Sequence, residues 1–379
     1  MSQTSIDILL DGIVTPSDVY EPPRPRPDGG GVILGRFGGG AYRSKGGLFA
    51  RGESVFNSHE NTPPEQIDPG QVQDRLNGRY LFLGVLQNAH FGHFISENIA
   101  RLWAADLLSD LDGVVYYALY PDQPMQPSVL NVLRFLIPDL PLIRIDAPTR
   151  IERLFVPAAF RFPAGFVAGH PLMRDFMASR VARARDGRPQ GPDKLFVSRS
   201  GLAREGARFV LEREIDRNMA AQGYTVIHPE IMGPAEQLRH YADAQQLVFS
   251  EGSALHLYAL VARPDQQVFI IWRRKRVFPV FERQITSFGG PVPVGGNHVL
   301  EQLFHRRFPG ANARAQSLLD FAGLGSDLAQ SGFIDAAGWT SPAAATIEAE
   351  LDALSDAFEV APARAALRAA ASGQPPAQP

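Results

Sequence analysis

KLFVSRSGLAREGARFVLEREIDRNMAAQGYTVIHPEIMGPAEQLRHYADAQQLVFSEGSALHLYALV, residues 194–261, alternates short apolar runs with polar stretches of helical length. The runs Leu195-Phe196-Val197, Tyr224-Thr225-Val226-Ile227 and Gln246-Leu247-Val248-Phe249 have the length and residue types of strands. Between them, 209–222 and 234–244 have helical length and period, and an apolar helix is expected over 254–261. Strands alternating with such helices predict an α/β fold with a parallel sheet. In these sheets ligands bind beyond the carboxyl ends of the strands. Arg199 follows the first strand, Pro229-Glu230 the second and Ser250-Glu251-Gly252-Ser253 the third. All three turns are expected to open onto one crevice.

The third turn suits an anion. Gly252-Ser253 leads from a strand into a helix start, where free N–H groups and the positive end of the dipole, about half a unit charge, are available. Gly252 has no Cβ to keep a phosphate off the backbone. Ser253 would donate its hydroxyl or simply cap the helix, and Ala254 adds a further N–H. A capped helix without a ligand would read the same way. Arg199 at the neighbouring strand end shifts the balance, because a guanidinium beside a helix start cradles a diphosphate. Arg204 and Arg208 either add charge there or are solvated.

Taken in order, Ser198-Arg199, Arg208, Gly223-Tyr224, Pro229-Glu230, Glu236-Gln237, Ala244 and Gly252-Ser253-Ala254-Leu255 resemble glycosyltransferase family 61. Bacterial members are often described as capsular polysaccharide biosynthesis proteins. Upstream, residues 88–97 (NAHFGHFISE) followed by Arg101-Leu102-Trp103 are similar to the family's other hallmark, a His-Phe-x-x-Glu helix ending in Arg-Leu-Trp. The resemblance covers residues 80–275. One position departs from it. Many relatives carry His before the glycine of the phosphate turn, and here Glu251 stands there, to point away from a diphosphate or to meet a sugar or ribose hydroxyl.

The resemblance implies a GT-B-like architecture of two Rossmann-like domains facing a cleft. With boundaries read from composition, the chain divides into an acceptor-side domain over 1–190, a nucleotide-sugar-binding domain over 191–300, a helical extension over 301–370 and a disordered tail over 371–379. The resemblance also implies hexosyl or pentosyl transfer from a nucleoside diphosphate donor to a glycan or polysaccharide. Arg199, Arg208, Glu230, Gly252, Ser253 and Ala254 would hold the donor.

The chemistry is expected just before the first domain's second strand. A helix over 92–108 puts His93 and Glu97 one turn apart on one face. Sugar transfer needs a base for the acceptor hydroxyl, worth roughly 10²–10⁴ in rate. Either Glu97 is that base with His93 as partner, or His93 is the base oriented by Glu97; a structural His–Glu hydrogen bond would use the same spacing. By analogy with the family's acidic residue, Glu97 is the expected base, and transfer would invert the anomeric carbon. His90 and Asn88 are candidate acceptor-side contacts.

Bulk properties set wider limits. The 379 residues favour two domains, and 45% hydrophobic with 20% charged residues describes an ordinary globule. A net charge of −3 gives no electrostatic case for nucleic acid. With no cysteine there are no disulfides or thiolate metal sites, which fits the cytoplasm. The start, MSQTSIDILLDGIV, lacks the basic region and apolar length of a signal peptide. Arg273-Arg274-Lys275-Arg276 reads as a solvated strand exit or as a peripheral contact with anionic lipid or a phosphate-bearing acceptor.

Along the chain, the Pro- and Gly-rich stretch 21–47 is expected as a long connection, and its Lys45 precedes the glycines, so it is no P-loop. Strands are expected at 80–86 and 113–119, a helix at 128–136, strands near 142–145 and 154–156, and an alanine-rich helix over 341–371. The boundary between domains is expected over 180–192.

Rival readings are a non-catalytic nucleotide- or glycan-binding module, and a hydrolase with Ser253 on a nucleophile elbow. The elbow motif fails because Glu251 and Leu255 stand where it needs glycines. Asp110-Leu111-Asp112 is formally a DxD but precedes a strand, so it reads as a turn, and neither a metal nor another cofactor is expected.

Overall fold

The computed structural model describes residues 5–16, 69–162, 165–204, 206–310 and 314–372, together with short strand segments at 24–25, 32–33, 47–50 and 53–56. Most of the connection expected over 21–47, and the tail from 373 onward, lie outside the described residues. The chain divides into two compact units, Met1–Arg180 and Val181–Pro379. The division lies at 180–181, within the stretch 180–192.

The first unit is built on a seven-stranded mixed sheet. Its strands are β1 (Ile6–Thr15), β4 (Gly47–Ala50), β5 (Glu53–Phe56), β6 (Asp74–Leu86), β7 (Gly113–Ala118), β8 (Leu142–Arg144) and β9 (Thr149–Pro157). The order is β5-β4-β1-β9-β6-β7-β8, and β2 (Arg24–Pro25) pairs separately with β3 (Val32–Ile33). Strands β9, β6, β7 and β8 run parallel, while β1 and β4 join antiparallel. Every residue of β7, GVVYYA, is buried, as expected of an interior strand covered on both faces. Gly78, at φ 114°, sits in a register shift of β6, and a Cβ there would stand 2.3 Å from Asp112 Oδ2. Asp112 accepts the Arg79 N–H at 2.8 Å. The formal DxD is therefore a turn that caps a strand.

The continuous helix expected over 92–108 does not form. The chain makes a short α1 (Phe91–His93), a wide π turn at Phe94–Asn98 and a 3-10 turn at Leu102–Asp106. The reason lies in its carbonyls. Ser96 O accepts the Val167 N–H at 2.7 Å and Ala100 O the Phe160 N–H at 3.2 Å, which draws both out of an i→i+4 ladder. Nearly every side chain from Phe94 to Ala104 is buried, so the segment has no solvent face for a regular amphipathic helix to keep. Helices α2 (Pro127–Leu136) and α3 (Pro171–Arg185) follow the β7 and β9 regions.

The second unit holds the parallel sheet read from 194–261. Strands β10 (Lys194–Val197), β11 (Thr225–Ile227), β12 (Gln246–Ser250) and β13 (Gln267–Ile271) lie in the order β11-β10-β12-β13. All three pairings are parallel. Helices α4 (Glu212–Ala221), α5 (Pro234–Asp243) and α6 (Ala254–Ala259) connect them, and α7 (Val280–Ser287) follows β13.

Residues 301–370 are more than a helical extension. They include most of the antiparallel pair β14 (Val299–Leu303) and β15 (Gln316–Leu319), besides α8 (Phe321–Gln330). Leu319, Phe321, Leu324, Leu328 and Phe333 share one core cluster with Phe196, Val248 and Phe269 of the parallel sheet. The alanine-rich run is two helices, α9 (Ala344–Leu354) and α10 (Ala361–Ala371). Phe358, fully buried between them, bridges His305, and Pro362 starts α10 at a position where its missing N–H does no harm.

Candidate functional site

In the second unit the strand-end turns assemble as the sequence suggests. Parallel strands in register bring Arg199, past β10, beside Gly252, past β12. A Cβ on Gly252 would stand 2.1 Å from Arg199 Nη1, so the guanidinium lies directly on the glycine. Arg199 Nε donates to Ala207 O at 2.8 Å. Its two terminal nitrogens have no hydrogen-bond partner among the described residues. Burial lowers the Arg199 pKa, opposed by the charges of Glu212, Glu251 and Glu230. The backbone N–H groups of Gly252, Ser253 and Ala254 likewise have no partner among the described residues. Ser253 is half-buried and its side chain makes no cap on α6. One guanidinium edge, three N–H groups and a hydroxyl thus stand at one sheet edge, and each favours an anion.

Glu251 is committed to the turn after β13. It is fully buried, with Oε2 accepting the N–H groups of Arg273 at 2.8 Å and Arg274 at 3.2 Å, and it pairs with the Arg274 guanidinium at 3.0 Å. This also corrects the reading of the basic run. Arg273 is buried, donates to Ala315 O at 3.1 Å and is pulled down to about 10 by burial. Lys275 pairs with Glu301 at 2.8 Å. Only Lys275 and Arg276 of the four are exposed, so the run is not a wholly solvated strand exit. Among the described residues no helix is long and apolar enough to cross a membrane.

Arg208 is half-buried. Its Nη1 donates to Ser200 O at 3.1 Å and Leu202 O at 3.3 Å, so it clamps the loop that follows Arg199. Exposed Arg204 pairs with Glu350 at 3.2 Å. Glu230 is exposed, and its carboxylate lies over Gly201.

The residue the sequence did not single out is Glu212. It is 2% exposed at the start of α4, where Leu211 takes a left-handed φ of 58°. Glu212 accepts the Arg199 N–H at 2.8 Å, the Ser250 hydroxyl at 2.7 Å and the Phe209 N–H at 3.0 Å. One carboxylate therefore ties the β10 and β12 ends together, and desolvation raises its pKa. In the sequence it is one of several acids on an amphipathic helix, and only burial distinguishes it.

In the first unit, His93 Nδ1 and Glu97 Oε1 are 2.5 Å apart. The His93 side chain is 54% exposed and Glu97 32%. The hydrogen bond to Glu97 raises the His93 pKa above 6.5, burial opposing it. His90 Nδ1 accepts the His93 N–H at 3.3 Å and caps the turn, with the two rings 4.7 Å apart. Asn88 is removed from the candidates. It is 1% exposed, donates to Tyr120 O and Gln123 O at 2.9 and 2.8 Å, and accepts the Tyr120 N–H at 3.0 Å. It holds the turn that leads into α1 and has no atom left for an acceptor.

Arg101 and Trp103 are also architectural. Arg101 donates to Pro157 O at 3.1 Å and Leu83 O at 3.2 Å, and burial brings its pKa to about 9. Trp103 donates to Ala158 O at 3.0 Å and stacks on Phe160. The two side chains dock the π turn on β6 and the end of β9, and so fix where His93 and Glu97 stand.

Ser253 has no imidazole partner among the described residues, and His256 on the same helix is buried with Nδ1 on Gln284 at 2.6 Å. A hydrolase arrangement is not built there. No curated protein matches this chain. Residues 91–269, which contain His93, Glu97, Arg199, Glu230 and Gly252, match the family model Glycosyltransferase 61, and this segment is thereby similar to glycosyltransferases.

Proposed function

We propose that this protein transfers a hexosyl or pentosyl group from a nucleoside diphosphate sugar to a hydroxyl of a glycan or polysaccharide. The observation that carries this reading is the Arg199 guanidinium lying on Gly252 with its terminal nitrogens unpartnered among the described residues. A diphosphate supplies the charge that this edge lacks, without a divalent metal. The second unit holds the donor through Arg199, Gly252, Ser253, Ala254 and Glu230, and the two α/β units are read as a GT-B architecture.

The His93–Glu97 pair in the first unit accepts the acceptor's proton. The Nδ1 contact to Glu97 leaves Nε2 as the imidazole's accepting atom. We therefore assign proton acceptance to His93, with Glu97 orienting it as a carboxylate orients a catalytic histidine. Direct attack by the activated hydroxyl inverts the anomeric carbon. A role in bacterial capsular polysaccharide synthesis in the cytoplasm belongs to the same reading.

A thermal-shift panel of uridine, guanosine, cytidine and thymidine diphosphates tests it. A bound nucleotide stabilises the folded state by roughly 2.7 kcal/mol at a hundredfold excess over its Kd. Absence of any shift sinks the donor reading. Binding without transfer to any glycan would select a non-catalytic nucleotide-binding module.

A further inference from the structure

Strand register gathers five side chains on one face of the first unit's sheet. Leu10 of β1 stands opposite Arg153 of β9, which in turn stands opposite Arg79 of β6. In the next row Ile8 stands opposite Phe155. Residues directly opposite across neighbouring strands point to the same side, and alternation sends Leu9, Tyr80 and Leu154 to the other. Those three pack in or against the core, whereas Ile8, Leu10, Arg79, Arg153 and Phe155 line an open groove of about 430 Å³.

Two features of this groove call for a partner. Ile8 and Leu10 are 55% and 69% exposed, so neighbouring aliphatic side chains are left in water. Arg79 and Arg153 face each other as like charges, which is unfavourable across a strand pair unless an anion lies between them. Among the described residues no carboxylate pairs with either side chain. Two acids near them in the fold are committed to backbone: Glu152 accepts the Gly78 N–H at 2.7 Å and Asp112 the Arg79 N–H at 2.8 Å. Arg79 is held over the Phe155 ring, 5.1 Å from its centroid, with Nη2 donating to Ser109 O at 3.2 Å. Its Nε is buried without a hydrogen-bond partner. Arg153 is exposed and makes no hydrogen bond or ion pair among the described residues.

A negative charge between two guanidinium groups, with apolar chains beside it, describes an anionic amphiphile. A second copy of this chain docked by the same face would set arginines against arginines. A small soluble anion would leave Ile8 and Leu10 in water. We propose that this face docks on an anionic phospholipid surface, with a lipid phosphate between Arg79 and Arg153, and with Ile8 and Leu10 entering the boundary of headgroups and acyl chains. The contact requires neither the basic run at 273–276 nor the donor reading of the second unit.

Co-sedimentation of the full-length protein with vesicles tests it. Vesicles of phosphatidylglycerol and phosphatidylcholine in equal parts should bind the protein about tenfold or more tightly than phosphatidylcholine alone, the share of two arginines near an anionic surface. Arg153→Gln should weaken binding to the mixed vesicles about fivefold, one arginine's share. Leu10→Ser should weaken it about tenfold by removing the more exposed aliphatic side chain. Both positions are exposed, so both variants should melt as wild type does, and Ile8→Ser replaces Leu10→Ser if that variant melts early. Absence of binding to the mixed vesicles, equal binding to both kinds, or binding that neither variant weakens overturns the assignment. A stable dimer in the absence of vesicles, dissociated by Leu10→Ser, would give the face to a second copy and overturn it as well.

Discussion

Replacing Arg199 with alanine separates donor binding from stability. The side chain makes one hydrogen bond in the fold, Nε to Ala207 O at 2.8 Å, worth about 0.5–1.5 kcal/mol. Its contact with the Glu212 carboxylate runs through the backbone N–H, which alanine keeps. Glu251 keeps the N–H groups of Arg273 and Arg274. The free protein should therefore lose only about 2–6 °C in melting temperature. The donor, in contrast, loses a charged hydrogen-bonding edge, about 1.5–3 kcal/mol, or roughly tenfold to a hundredfold in Kd. Calorimetric titration with the nucleoside diphosphate selected by the panel, beside thermal melting of the free variant, measures both. A variant that melts far earlier yet binds nucleotide with wild-type affinity once folded would refute the assignment and make Arg199 a structural tie.

Four further outcomes are expected. His93→Ala should reduce transfer more than Glu97→Gln does; the reverse order would make Glu97 the base. Because Glu97 raises the His93 pKa and the base must be neutral, activity should fall as pH drops through a value above 6.5. Glu97→Gln should move that acid limb to lower pH, whereas loss of transfer at every pH would assign the proton to Glu97. Asn88→Ala removes three buried hydrogen bonds and should lower stability by about 2–4 kcal/mol, read as an early melt, without altering nucleotide affinity. Excess chelator should leave transfer intact; a loss restored by manganese would reject the metal-free phosphate site.

The parallel sheet of the second unit was legible because most residues of β10, β12 and β13 are buried and helices connect the strands. Apolar runs and helical periods then mark each element, and sheet geometry places Arg199 and Gly252 on one edge. The segment after His90 was legible in composition but not in shape. Its burial on all sides removes the periodicity that distinguishes a regular helix from broken turns. Asn88, Arg101 and Arg273 illustrate the same limit. Each is a polar side chain whose residue type suits a ligand, and each is consumed by carbonyls or N–H groups distant in sequence.

By itself, then, the sequence determined the α/β character, the strand-end position of the anion-suited turn, the pairing of His93 with Glu97 and the family resemblance, because these follow from local periodicity and short spacings. Tertiary structure alone decided that Glu212 ties two strand ends, that Glu251 turns inward to the backbone of Arg273 and Arg274, and that β15 and α8 complete the second unit's core. Those outcomes depend on which polar groups are denied water, and burial is a property of packed elements far apart along the chain rather than of any segment read alone.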